Sequence, residues 1–277
     1  MTRSADKYKK MLFIGSGNIT SAVAIGLVKS KAMPAECITV YNRNSIKFQK
    51  FQQLGIQTSL NLAQSAESAD YIFLAVKPNI VEEVMGQLSQ IGVELNNKLI
   101  VSLAASVTME FISKSANTDL AIIRTMPSTP ITVGEGVLAV THNELVSPRD
   151  FQYFCRIMSS IAHVVAIDED LMNPIISVQG SSPAYVYLFV KAMLDAAEQQ
   201  GIDRNVALPL ILKTIKGSVT MIEKSSDTLE TLISNVASPN GTTLAALNSF
   251  EKDDFCGTVA RAMDACTKRA NEITDSL

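Results

Sequence analysis

The sequence lacks a long apolar run, and it has few histidines and no closely paired cysteines. No stretch reaches the about 18 consecutive apolar residues that suggest a membrane span, so we expect no membrane contact. The two histidines, His142 and His163, and four scattered cysteines without a CxxC motif argue against a zinc site and against cysteine catalysis. Reduced thiols in the cytoplasm fit these cysteines better than a disulfide framework.

The chain also lacks a large excess of charge of either sign. Charged residues make up 18% of the chain, hydrophobic residues 47%, and the net charge is -3. These values are typical of globular proteins and speak against disorder and against a nucleic-acid partner. Residues 1–10 are polar and basic without the apolar segment of a signal peptide, which predicts a polar N-terminal tail.

Apolar strand patterns alternate with helical patterns through the first part of the chain. Strands are predicted at 11–14, 37–41, 71–76, 98–103, 121–124 and 136–140, with a helix near 46–53. Such alternation favours a parallel sheet covered by helices on both faces. We therefore predict an α/β fold with a Rossmann-type dinucleotide-binding domain over residues 11–167.

Helical periods replace the strand patterns from about residue 168. Helices are predicted at 184–200, closed by Gly201, and at 204–224 and 257–275. Residues 168–277 are thus expected to form an all-helical domain. Residues 184–194 are apolar nearly all round, so this helix must be covered on several sides. A subunit interface is favoured over burial within one chain.

Gly15-Ser16-Gly17 lies between the first strand and the first helix, where a dinucleotide-binding turn belongs. The first glycine permits the tight turn, and the second lets pyrophosphate approach the positive end of the helix. The third position of the fingerprint is Thr20 instead of glycine. Ala22 and Gly26 are expected to provide the close packing of helix on sheet.

The end of the second strand bears on which nucleotide binds. NAD enzymes usually carry an acidic residue there for the ribose 2′-hydroxyl. This chain has Asn42-Arg43-Asn44 instead, and Arg43 is suited to a 2′-phosphate. NADPH is therefore the favoured cofactor, with NADH as the alternative. The plainer interpretation of Arg43 is a solvated arginine in a loop.

Two further loops follow predicted strands, where ligands bind in open α/β sheets. They are Ala75–Pro78 and Ser102–Ala105. Their small side chains would let the nicotinamide and its ribose lie close to the backbone. Lys77 is either a cofactor contact or a charge at a strand end.

Five motifs in this order resemble those of the pyrroline-5-carboxylate reductases, over nearly the whole chain from Met11. They are Gly15-Ser16-Gly17-Asn18-Ile19, Leu74-Ala75-Val76-Lys77-Pro78, Arg124-Thr125-Met126-Pro127-Ser128-Thr129-Pro130, Gly180-Ser181-Ser182-Pro183-Ala184-Tyr185 and Ser238-Pro239-Asn240-Gly241-Thr242-Thr243. The resemblance implies an oxidoreductase acting on CH–NH groups that reduces 1-pyrroline-5-carboxylate to L-proline. It also implies a homodimer through the helical domain, often assembled further into a decamer.

The resemblance carries over to particular residues. It implies cofactor contacts at Gly15, Gly17, Asn18, Ile19, Asn42, Arg43, Asn61, Ala75, Val76, Lys77, Pro78, Ala104 and Asn235. It also implies that the 238–243 loop holds the substrate.

Four positions depart from the family pattern. Family members usually have Asn at Ser128, Ser at Gln179, and Gly at Ser106 and Asn240. Asn240 is benign because Asn tolerates left-handed backbone geometry. Gln179 places a larger side chain in a turn before the Pro183 helix, which bears on substrate preference more than on reaction class.

The 238–243 loop also points to an anion site on its own residues. A turn followed by a helix with glycine and threonine at its start offers N–H donors and hydroxyls at a positive helix end. We expect Ser238 and the backbone of Gly241, Thr242 and Thr243 to bind the substrate carboxylate. Thr243 is the candidate catalytic residue, its hydroxyl bonded to the ring nitrogen. Ordinary capping of the helix by threonine is the competing interpretation.

Other functions remain open on sequence alone. A β-hydroxyacid dehydrogenase would use a helix lysine as an acid, and Lys191 lies on a predicted helix, but the glycine-rich pattern before that lysine is missing. Another imine reductase is a second alternative. A catalytically inactive NADP-binding regulatory protein is the third, since a fold alone never proves function.

Overall fold

The computed structural model describes residues 8–277, so most of the predicted tail at 1–10 lies outside the described part. The chain divides into two compact units. The first runs up to Ser181 and includes Cys266–Leu277, and the second is Ser182–Ala265. In residues 8–277, no helix has the length and apolar character needed to cross a membrane.

The first unit is built on one eight-stranded sheet. Its strands are β1 (Met11–Ile14), β2 (Ile38–Tyr41), β3 (Gln57–Ser59), β4 (Tyr71–Leu74), β5 (Leu99–Ser102), β6 (Ala121–Pro127), β7 (Gly136–His142) and β8 (Ala162–Ala166). The strand order is β3-β2-β1-β4-β5-β6-β7-β8. The order reverses between β1 and β4, which is where doubly wound sheets bind dinucleotides.

Helices connect the strands of this unit. They are α1 (Asn18–Thr20), a π-helical turn (Ser21–Ile25) and α2 (Gly26–Lys29), then α3 (Gln49–Gln52), α4 (Leu62–Ser68), α5 (Val81–Gln90), α6 (Met109–Ala116) and α7 (Pro148–Met158). The predicted helix at 46–53 is shorter than expected. Residue Ile46 is 84% exposed, so no apolar contact extends α3 towards it.

The sheet departs from the expected parallel pairing at one strand pair. The first six strands pair in parallel, but β7 runs antiparallel to β6, with Thr125 opposite Val140. Only residues 128–135 join these two strands. A parallel crossover needs about a dozen or more residues, so this short connection can only reverse the chain. β8 then pairs in parallel with β7.

Apolar side chains alternate between the two faces of the sheet. Met11 and Phe13 of β1 enter one core together with Phe73, whereas Leu12 and Ile14 enter the other. The rings of Phe13 and Phe73 stack with their centroids 4.2 Å apart. Both faces are therefore covered, as the continuous apolar strands predicted.

A buried polar network ties residues beyond the sheet to the first unit. The Arg124 side chain is 4% exposed and pairs with Glu169 at 3.2 Å. Burial lowers the pKa of Arg124, and the Glu169 carboxylate opposes that shift. Arg124 also donates to Asn173 at 2.9 Å, and Asn173 donates to Thr274 at 3.0 Å. These contacts hold residues 168–181 and the end of the chain in the first unit, whereas the sequence-based division at residue 168 assigns them to the helical domain.

Long helices form the second unit. They are α8 (Ser182–Gln199), α9 (Arg204–Lys224), α10 (Leu229–Val236), α11 (Thr242–Lys252) and most of α12 (Phe255–Asp275). Leu194 of α8 packs with Ala207 and Ile211 of α9 in a small core. Gly201 between these helices has φ +86°, the left-handed end that the sequence predicted.

Candidate active site

The first glycine of the turn after β1 is required by its backbone. Gly15 has φ +112°, and a Cβ there would lie 2.5 Å from the Ala75 carbonyl oxygen. Its N–H donates to the Tyr41 carbonyl at 2.8 Å. The turn is thus pressed between β2 and the loop after β4, and no other residue fits without moving that loop.

The second glycine borders open space. A Cβ built on Gly17 would meet no atom within 4 Å, and its φ of -72° is ordinary. The helical segment begins directly after it, at Asn18. Its first N–H groups have no intrahelical partner, so they are available to an anion such as a pyrophosphate. Gly17 leaves the space that such a group would fill.

The third fingerprint position is used for internal bonding. The fully buried Thr20 donates its hydroxyl to the Gly15 carbonyl at 2.8 Å. The threonine therefore closes the turn in place of a packing glycine. Gly26 takes over the close packing, as predicted, because a Cβ there would lie 3.1 Å from Cγ2 of Ile161, next to β8.

A cleft of about 370 Å³ opens at this edge of the sheet. It is lined by the Gly15–Gly17 turn, by residues 42–47 after β2, and by Ala75–Lys77 after β4. The structure thus brings together three of the predicted cofactor loops. Lys47, which the sequence analysis did not select, adds a second cation to the cleft.

Arg43 has an acidic neighbour that sequence analysis missed. Its Nη1 lies 3.3 Å from Oε1 of Glu83 on α5, and the two side chains are 63% and 44% exposed. Gln87 donates to the same Glu83 oxygen at 3.0 Å. Arg43 is therefore held at the mouth of the cleft by an exposed pair, which a phosphate is able to displace.

Asn61 follows β3 and caps α4. Its side chain accepts from the Gln64 N–H at 3.1 Å, and its carbonyl accepts from the Ser65 hydroxyl at 2.7 Å. These contacts give Asn61 a structural task at the end of its strand. Its predicted cofactor contact stays a prediction.

Ala104 follows β5 and is 3% exposed. Its N–H donates to the Ser102 hydroxyl at 3.3 Å, and the Ser102 carbonyl accepts from the Thr125 hydroxyl at 2.8 Å. The ends of β5 and β6 are thus fixed to each other at the same edge of the sheet as the cleft. Ala104 is thus buried and its N–H is engaged, and its predicted cofactor contact stays a prediction.

The 238–243 loop, which the sequence analysis expects to hold the substrate, lies in the second unit between α10 and the start of α11. The Gly241 N–H donates to the Ser238 carbonyl at 2.9 Å, with Pro239 and Asn240 between them. Asn240 has φ +58°, so the predicted left-handed backbone is confirmed. Proline followed by a positive φ is the arrangement of a type II turn.

The start of α11 has the features of an anion site. Gly241 precedes the helix and provides no side-chain cap, so the first N–H groups of α11 are not satisfied by a threonine hydroxyl. A Cβ at Gly241 would lie 2.5 Å from the Ser238 hydroxyl, which brings that hydroxyl close to the helix start. Capping by threonine, the competing interpretation of this loop, is not observed. Asn235 lies exposed near the end of α10, just before the loop.

The other departures from the family pattern lie in the first unit. Ser106 has φ +63°, and its carbonyl accepts from Thr274 at 2.7 Å. The Ser128 hydroxyl accepts from the Val137 N–H at 2.9 Å. Gln179 donates its Nε2 to the Met126 carbonyl at 2.8 Å. Each of these three residues thus has a defined hydrogen-bond partner in the first unit.

Comparison with known proteins links both units to characterised families. Residues 10–106 match the family described as NADP oxidoreductase, coenzyme F420-dependent. Residues 169–273 match the family described as pyrroline-5-carboxylate reductase dimerisation.

Similar proteins cover nearly the whole chain. The chain is 36% identical to the pyrroline-5-carboxylate reductase of Escherichia coli K12, over 97% of its own length and 99% of that protein. It is 30% identical to a Plasmodium falciparum pyrroline carboxylate reductase solved with NADP bound, with a TM-score of 0.89 over 97% of this chain and 99% of that one. A Coxiella burnetii pyrroline-5-carboxylate reductase gives 31% identity and a TM-score of 0.86, over 96% and 98% of the two chains.

Proposed function

The chain belongs to the pyrroline-5-carboxylate reductase family, and from this membership we propose that it reduces 1-pyrroline-5-carboxylate to L-proline with NADPH, the last step of proline biosynthesis. The observation that carries the proposal is the extent of the similarity, which covers 97% of the chain and so includes both units. A shared dinucleotide-binding unit alone would support only the fold.

The residues that line the cleft at the ends of β1 and β2 support NADPH as the cofactor. Bound NADPH supplies the hydride, and the protein supplies placement and electrostatics. The open space at Gly17 and the free N–H groups after it fit a pyrophosphate. Arg43 and Lys47 fit a 2′-phosphate, in line with the NADP bound in the Plasmodium relative. NADH remains the alternative cofactor.

The substrate side rests on the loop before α11. We assign the substrate carboxylate to Ser238 and to the N–H groups of Gly241, Thr242 and Thr243. A protonated ring nitrogen makes the imine carbon more electrophilic, and the Thr243 hydroxyl would hold that proton in place. This arrangement requires neither a metal nor a histidine, and it uses Asn235 only as a cofactor contact near the substrate.

A homodimer completes the proposal. Apolar residues of α8 and α9 stay exposed in the single chain, among them Tyr187 at 65%, Leu188 at 67% and Leu210 at 62%. Exposed apolar surface of this kind marks an interface, and the dimerisation family spans these helices. A decamer of such dimers in the cytoplasm is the further expectation. Light scattering in solution distinguishes monomer, dimer and decamer.

The alternative using Lys191 lacks support. Lys191 pairs with Asp195 one turn along α8, and its side chain is 68% exposed. An exposed ion pair on a helix is an ordinary surface feature and leaves no buried lysine acid. The Lys191→Ala variant is therefore expected to keep its activity.

The test is NADPH oxidation by the purified protein with 1-pyrroline-5-carboxylate. NADH is run in parallel, and a 2-keto acid serves as the control substrate. Turnover with the imine alone supports the proposal. Tight NADPH binding without any turnover would discard the proline assignment and favour the regulatory alternative, and turnover of a β-hydroxyacid would favour the dehydrogenase.

A further inference from the structure

Gln179 has a buried side-chain oxygen with no protein donor. The residue is 9% exposed, and among residues 8–277 no group donates to its Oε1. Its other polar atom, Nε2, is engaged with the Met126 carbonyl. Buried acceptors are nearly always satisfied, so one that is not requires an explanation. Family members usually carry the much shorter serine here.

The position of Gln179 is fixed from two sides. Its Nε2 donates to the Met126 carbonyl at 2.8 Å. The next residue, Gly180, lies so close to the Met126 side chain that a Cβ would be 2.5 Å from its Cε. The π-helical turn Ile176–Gly180 is therefore locked onto the end of β6. With Nε2 bound to Met126, the amide plane holds Oε1 in one orientation.

This position belongs to the cofactor edge of the sheet. Ser102 of β5 pairs with Arg124 of β6, so Ala104 and Met126 each lie two residues beyond that pair. Hydrogen bonds link Ala104 to Ser102 and Ser102 to Thr125. Met126 follows Thr125 in the chain, and Gln179 donates to its carbonyl.

The order of the strands along this edge of the sheet indicates where each half of the dinucleotide would lie. The sheet places β2 on one side of the β1–β4 switch point and β5 and β6 on the other. With the 2′-phosphate at the end of β2, a dinucleotide lying across the switch point carries its nicotinamide half towards β5 and β6. Gln179 therefore lies on the nicotinamide side.

We infer that Gln179 recognises the nicotinamide carboxamide: its Oε1 accepts a hydrogen bond from the carboxamide N–H₂. This inference rests on the proposed cofactor. The carboxamide is the N–H donor of that half of the dinucleotide, and a buried amide oxygen on a rigid turn is its complement. The ligand bond would satisfy the acceptor that the protein leaves open.

The test uses ligands that differ in this one group. NADP⁺ is compared with 3-acetylpyridine adenine dinucleotide phosphate, whose methyl ketone has no N–H. A third ligand, 2′,5′-ADP, lacks the nicotinamide altogether. Dissociation constants are measured by calorimetry for the wild type, for Gln179→Met, which keeps the volume, and for Gln179→Ser. Ser128→Ala is the matched control, because it removes a different hydrogen bond at the same end of β6.

The wild type and Ser128→Ala are expected to bind NADP⁺ about tenfold more tightly than the acetylpyridine analogue, a difference of about 1.4 kcal/mol. In both Gln179 variants this ratio falls to within about twofold. The affinity for 2′,5′-ADP stays unchanged in all proteins, which shows that the edge is intact.

Three outcomes would overturn the inference. If the ratio of the two dissociation constants is unchanged in the Gln179 variants, Gln179 does not contact the carboxamide. Equal weakening of all three ligands means that Gln179 only supports the fold. An unchanged ratio with a raised KM for the imine assigns the oxygen to the protonated ring nitrogen of the substrate instead. The proposed function is tested separately by wild-type turnover, so its failure is distinguishable from a failure here.

Discussion

The charge at the end of β2 provides the sharpest test of cofactor choice. We predict that Arg43→Met weakens NADPH binding while leaving NADH binding nearly unchanged. A hydrogen bond to a charged group contributes about 1.5–3 kcal/mol. Arg43 must give up its pair with Glu83, and because both side chains are largely exposed that pair is worth only about 0–1 kcal/mol. The net loss of about 0.5–3 kcal/mol corresponds to an about 2- to 160-fold higher Kd for NADPH.

The assay is titration of both nucleotides, followed by nucleotide fluorescence, at low and moderate salt. Salt screens phosphate contacts, so the wild-type preference for NADPH should shrink as salt rises, and that of Arg43→Met should respond less. Glu83→Gln frees Arg43 from its pair and is expected to tighten NADPH binding by up to about fivefold. Lys47→Met removes the second cation of the same cleft and is likewise expected to weaken NADPH binding more than NADH binding.

The reasoning on Arg43 would be refuted by either of two results. In the first, Arg43→Met weakens NADPH and NADH by the same factor. In the second, Glu83→Gln and Arg43→Met change NADPH affinity in the same direction.

Three further perturbations follow from the geometry. Gly15→Ala is expected to lower the free energy of unfolding in urea by about 1–3 kcal/mol, because Gly15 has φ +112° and lies against the Ala75 carbonyl oxygen. Gly17→Ala should keep wild-type stability and lose NADPH affinity. Equal stabilities of the two variants would contradict this contrast. Thr243→Ala should lower kcat/KM by roughly ten- to a thousand-fold, or about 1.4–4 kcal/mol, and Thr243→Ser should restore much of it; wild-type kinetics for the alanine variant would exclude a role for the hydroxyl. Thr274→Val removes the bonds to Asn173 and Ser106 and should lower the free energy of unfolding by about 1–3 kcal/mol, with unchanged stability as the contrary result.

Features with local causes were predictable from the sequence. The apolar runs of β1, β4 and β5 identify strands that are buried on both faces, and the apolar periods identify α8, α9 and α12. Gly15 and the left-handed Asn240 follow from backbone geometry that few residue types tolerate. Gly17 has an ordinary φ, and its place follows from the space that a bound phosphate needs. The sequence also marks the start of α7, because serine is a preferred N-cap residue. The Ser147 hydroxyl indeed accepts from the Asp150 N–H.

Features that depend on distant contacts were not predictable. The direction of β7 depends on β6 extending to Pro127, three residues beyond its predicted end, which leaves too short a connection for a crossover. The pairing of Arg43 with Glu83 joins residues 40 apart in sequence, and the burial of Gln179 depends on Met126, 53 residues away. No local pattern encodes either contact.

The bond between Ser181 and Cys266 has a consequence for the evolution and engineering of the chain. Their Oγ and Sγ atoms lie 3.3 Å apart, and these residues are where the chain leaves the first unit and returns to it. In topological terms the second unit is an insertion with adjacent ends, which is the arrangement that domain insertion tolerates best. A short linker from residue 181 to residue 266 would yield the dinucleotide-binding unit as one continuous polypeptide. A fragment that simply stops at residue 181 would instead lose Thr274 and the core contact of Leu277.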